Sequence, residues 1–165
     1  METPGPADRS RETPQRPFKS ILVAVDGSDH AFDAVRVAAQ LATAVSAKLT
    51  LMTVYHAPSD TLGEPNYSRA LGEALGEAQR ILEEARGVAL NAGGREPQME
   101  WLAGPAAETI VEATRAGGYD LVVVGTHGRG RLGTALLGSV SSTVAAHAGR
   151  PVLVVGNPAA RQKRE

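Results

Sequence analysis

Apolar positions follow two rhythms along this chain. Ile21-Leu22-Val23-Ala24-Val25, Leu121-Val122-Val123-Val124 and Pro151-Val152-Leu153-Val154-Val155 are short, continuous and rich in β-branched residues. That is the pattern of strands buried on both faces. Leu49 to Tyr55 reads as a further strand and Gln98 to Ala103 as a weaker one. Between them apolar residues recur every three or four positions. Ala31, Ala34, Val35, Ala38, Leu41, Ala42 and Val45 form one helical stripe, and Leu71, Leu75, Ala78, Leu82, Ala85 and Ala89 a second. Ser28 is placed to cap the first of these helices, and Gly93-Gly94 to end the second. A third helix begins near Gly104-Pro105 and carries Ile110, Val111 and Thr114; a fourth begins near Gly138-Ser139, with Val140, Val144, Ala145 and Ala148 on one face. His56 to Ser68 reads as a loop, long for a compact domain and of a length often found in lids. Strands alternating with helices, and apolar throughout, predict a parallel sheet covered on both faces in an α/β, single-domain protein.

A chain of 165 residues fits one domain that buries roughly two thirds of its unfolded surface. Residues 1–17 hold four prolines and few apolar residues, and are expected to form a disordered arm. The domain is expected over 18–156, with 157–165 as a basic, solvated tail. A formal net charge of −1 argues against a general nucleic-acid or membrane-surface binder. Absence of cysteine excludes disulfides, thiol catalysis and cysteine metal sites. No apolar run approaches the ~18 residues of a membrane span, and the N-terminus does not read as a signal, so the expected location is cytoplasmic. His30, His56 and His147 show no metal-ligand spacing.

The densest chemistry lies in DLVVVGTHGRGRLGTALLGSVSS, from Asp120 to Ser142. A buried strand stops at Gly125, five glycines fall between positions 125 and 138, and a helix follows. Glycines allow close backbone approach, and a helix start adds unpaired N–H donors and a positive dipole end. No Asp or Glu occurs from Leu121 to Arg164 to repel an anion. Gly128-x-Gly130-x-x-Gly133 spells a dinucleotide fingerprint, but the acidic residue wanted about 20 positions on is missing. Gly133-x4-Gly138 imitates the phosphate loop of ATPases, but Ser139 stands where its lysine must be.

The remaining pattern, Gly125-x2-Gly128-x9-Gly138-Ser139, resembles the nucleotide-binding signature of the universal stress protein family, in its ATP-binding branch. The resemblance continues through Ser141, Ser142 and AHAGRPVLVV, and through the opening ILVAVDGS. It implies strand order 3-2-1-4-5 in an adenine nucleotide α-hydrolase-like sheet, which would bring Asp26 and the Gly125 loop to one crevice. It implies ATP as ligand, with magnesium carried through the nucleotide. Carried over residue by residue, Gly125, Gly128, Gly138, Ser139, Val140 and Ser141 fall on the phosphate and ribose side. Val54 and Ala24 fall on the adenine pocket. Asp26 reads either as a turn residue or as a ribose or magnesium contact, one carboxylate being enough for a metal that also takes phosphate oxygens and water. Ser139 and Ser141 read either as first-turn residues or as phosphate ligands. His127 reads as a loop residue acting through its backbone, and Arg129 either reaches phosphate or is exposed.

No catalytic residue is assigned. The glycine loop lacks a phosphate-loop lysine and a nearby carboxylate to position water, so the expected function is nucleotide-responsive binding with slow or no hydrolysis. An α-hydrolase-type enzyme is the alternative, together with a structural dimer module without ligand. The edge strand Pro151–Val155, apolar throughout, is the expected homodimer contact.

Overall fold

The computed structural model describes residues 17–127 and 137–156. The elements are β1 (Ser20–Ala24), α1 (Asp29–Val45), β2 (Lys48–Tyr55), a short 3-10 helix (Asp60–Leu62), α2 (Asn66–Asn91), β3 (Gln98–Ala103), α3 (Ala106–Ala116), β4 (Leu121–Gly125), α4 (Ser139–His147) and β5 (Val152–Val155). All five strands are parallel, in the order β3-β2-β1-β4-β5. Leu22 lies in register between Thr50 of β2 and Val122 of β4.

This order follows from right-handed crossovers. The first two, through α1 and α2, step outward from β1 to β3. The chain then crosses back to the free side of β1 and steps outward again to β5, so α3 and α4 fall on the opposite face. Alternation along the strands divides the core accordingly. Ile21, Val23, Leu51 and Val123 pack with α1 and α2, whereas Leu22, Met52, Val122 and Val124 pack with α3 and α4. Ile21, Leu22 and Val23 are fully buried. Each contributes on the order of 1.5–3 kcal/mol by leaving water.

Asp120 fastens β1 beside β4 at their amino ends: its Oδ2 accepts from the backbone N–H groups of Lys19 (2.8 Å) and Ser20 (3.0 Å). Those two bonds hold the carboxyl below the usual carboxylate range.

Three expectations are adjusted. The segment 56–68 is not loop throughout, because α2 starts at Asn66 and Asp60–Leu62 forms a 3-10 turn capped by Ser59. β3 is not covered on both faces: five of its six residues are exposed, and Trp101 is 48% exposed. It is the outer strand, with β2 on one side only, and α2 lies mainly over β2. On α4 the buried positions are Ser141 and Val144, followed by the buried C-cap Ala148, whereas Ala145 is exposed.

Candidate functional site

The strand order reverses between β1 and β4, and a crevice opens beyond their carboxyl ends. On the β1 side the chain passes through Val25 and Asp26 and reverses at Gly27, whose φ of 79° suits glycine. The Asp26 carboxylate shapes the turn, its Oδ1 accepting from Ser28 N (3.0 Å) and Ser28 Oγ (2.6 Å). Ser28 Oγ in turn accepts from Ala31 N at 3.2 Å and caps α1. The structure shows Asp26 as a turn residue, and it also lines the crevice.

On the β4 side, Gly125 ends the strand directly against the first turn of α1. A Cβ there would lie 2.7 Å from His30 O, 2.8 Å from His30 C and 3.0 Å from His30 Cβ. Its glycine character is therefore demanded by helix–strand packing. Gly138 N donates to Thr126 O at 2.8 Å, closing the start of α4 onto the end of β4. Ser141 Oγ donates to Gly125 O at 2.6 Å. This bond satisfies the hydroxyl of a residue that is only 5% exposed and explains why a serine occupies the buried stripe of α4. The first helical bond of α4 is Ser142 N to Gly138 O, so the N–H groups of Ser139, Val140 and Ser141 precede any helical acceptor. They carry the positive end of the helix dipole.

The crevice holds about 620 Å³, within the range of small-molecule sites. Its apolar lining includes Ala24, Met52, Val54, Ala106, Ile110 and Val124, and its polar lining Asp26, Gly125, His127, Gly138, Ser139 and Ser141, with Val140 from the first turn of α4. The structure thus brings together Ala24, Asp26, Val54, Gly125, His127, Gly138, Ser139, Val140 and Ser141. Gly128 and Arg129 lie outside the described residues. Met52, Ala106 and Ile110 were not expected in the site. Ile110 reads from sequence only as part of a core stripe, and Met52 as the middle of a buried strand; no sequence signal marks Ala106. None of residues 56–68 lines the crevice. Among the described residues no group of three or more His, Cys, Asp or Glu is placed to hold a metal ion. None of the helices among them is long and apolar enough to cross a membrane.

Residues 17–156 match the model of the universal stress protein family. A universal stress protein of Thermus aquaticus, described as lying in a QAH/OAS sulfhydrylase 3' region, is 43% identical over 138 residues, covering 84% of this chain and 98% of the relative. Among solved structures, a universal stress protein in complex with cAMP aligns with TM-score 0.62 and 32% identity over 84% of this chain and 96% of its own. UspA from Lactobacillus plantarum aligns with TM-score 0.72 and 27% identity, covering 83% of this chain and 97% of its own.

Proposed function

Because this chain belongs to the universal stress protein family, we infer that its crevice binds an adenine nucleotide, with ATP as the expected ligand and nucleotide-responsive signalling, rather than fast turnover, as its role. The observation that carries this is one cavity whose lining joins apolar side chains to the start of α4. Adenine, flat and largely apolar, suits the wall of Met52, Val54 and Ile110, while the phosphates suit Gly138, Ser139 and the start of α4. A family neighbour at 32% identity was solved with cAMP, an adenine nucleotide. Asp26 is the carboxylate that would share a magnesium ion arriving with the phosphates. The metal would supply charge neutralisation there and leave the remaining ligands to phosphate oxygens and water.

The described residues lining the crevice include neither a lysine nor a carboxylate other than Asp26, which favours binding over rapid hydrolysis. In this reading the outer edge of β5 pairs with a second copy about a two-fold axis, closing an apolar strand edge. The domain acts over 18–156 in the cytoplasm, without nucleic acid or membrane.

Calorimetric titration with ATP and magnesium tests the site. Wild type is expected to bind with micromolar-class affinity. Gly138→Val and Ser139→Glu should largely lose it, the first by blocking backbone approach and the second by placing negative charge at the helix start. Undiminished binding in both variants would refute the assignment.

A further inference from the structure

Among the described residues, the His127 imidazole has the only buried side-chain polar atom without a hydrogen-bond partner: its Nε2 is shielded from water and unpaired. Leaving such an atom unpaired is unfavourable, and His127 lines the crevice. Its ring stands against His30, with centroids 5.5 Å apart and planes tilted by 56°. His30 is a fixed wall. Its backbone is pressed onto Gly125, and its Nδ1 lies 3.3 Å from Thr126 Oγ1. Charged residues are sparse on the described elements around it. Asp26 follows β1, Asp29 opens α1, α4 has no charged residue before His147 in its last turn, and β5 has none. Arg129 and Arg131 follow in sequence, outside the described residues.

We propose that His127 is a proton-linked ligand for the nucleotide's phosphate, an inference that rests on the nucleotide reading above. When phosphate enters, the ring turns from its unpaired place beside His30 and Nε2–H donates to a phosphate oxygen. The imidazole takes a proton from solvent to become the cation. The anion supplies both the missing acceptor and a negative charge, and each favours the protonated ring in the complex. Because each complex formed this way takes up a proton, the added affinity falls as pH rises, by up to about tenfold per pH unit for one linked proton.

The test is isothermal titration of the full chain with ATP, without magnesium, from pH 6 to 8.5. Buffers of different ionisation enthalpy count the protons taken up. ATP's terminal phosphate also titrates near pH 6, so the readout is the difference between wild type and His127→Gln. Wild type is expected to take up more protons than the variant. It should bind up to about tenfold more tightly at pH 6, with the gap closing by pH 8.5. In wild type, 15N spectra should show the His127 ring turning to imidazolium at saturating ATP. Equal proton uptake in the two proteins, or His127 resonances unmoved at saturation, would overturn the proposal while leaving nucleotide binding intact. A wild type that binds no adenine nucleotide at any of these pH values defeats the nucleotide reading itself, and this proposal with it.

Discussion

Gly125→Ala separates a glycine needed by the fold from one needed by the ligand. The added Cβ would sit 2.7 Å from the carbonyl oxygen of His30 and 2.8 Å from its carbonyl carbon. These are backbone atoms in the first turn of α1, so no side-chain rotation relieves the contact. The φ at Gly125 lies outside the left-handed region, and alanine's backbone preference is therefore not at issue. Relief requires α1 to lift from the end of β4, at a cost of about 1–3 kcal/mol for overpacking. For a domain of this size that corresponds to a fall of roughly 2 to 12 °C in melting temperature. Gly138→Ala is the control. Its Cβ would meet Thr126 O at 3.2 Å and His127 Cα at 3.5 Å, and its φ of −62° suits alanine. The poorer N-cap costs about 1 kcal/mol there, and Thr126 O need give by only a few tenths of an ångström. Differential scanning calorimetry without nucleotide should rank Gly125→Ala well below Gly138→Ala. If Gly125→Ala melts within a degree of wild type, the packing explanation of that glycine is wrong.

Ser141→Ala removes the buried hydroxyl that donates to Gly125 O and should cost about 1–3 kcal/mol in chemical denaturation; an unchanged midpoint would show that the bond contributes nothing. Asp120→Asn should lower melting temperature at neutral pH. Because the folded carboxyl is held low by the N–H groups of Lys19 and Ser20, its contribution is present above about pH 4 and is lost as pH falls through the folded value. The gap to wild type should therefore close in acid, and a gap constant with pH would contradict this. Wild type should sediment as a dimer at tens of micromolar, and Val154→Lys combined with Val152→Lys as a folded monomer by circular dichroism. A monomeric wild type, or dimeric lysine variants, would exclude β5 as the contact.

The strands that meet at the crevice were legible because burial on both faces leaves continuous apolar runs, as at Ile21 to Val25 and Leu121 to Val124. The exposed β3 was correspondingly faint, for an outer strand covered on few sides has little need of apolar residues. Residues near Asn66 hid the start of α2, since Gly-Glu-Pro-Asn carries turn chemistry. Ser141 reads as polar, yet it is buried because its hydroxyl finds a carbonyl in a distant strand end. Gly125 reads as a phosphate cradle, and its packing role appears only once His30 is in place. The same holds for the pairing of His30 with His127, which no local pattern encodes. The glycine spacing, by contrast, pointed to the end of the sheet where the crevice opens. Spacing along a strand–loop–helix unit is local, whereas the apolar wall of Met52, Ala106 and Ile110 is assembled from two separate elements, β2 and α3.

A crystal structure grown with ATP tests the central claim most directly. The adenine should lie against Met52, Val54 and Ile110, with the phosphates over Gly138 and Ser139 at the start of α4. Nucleotide bound elsewhere on the molecule, or a crevice without nucleotide density at millimolar ATP, would contradict the assignment of this site.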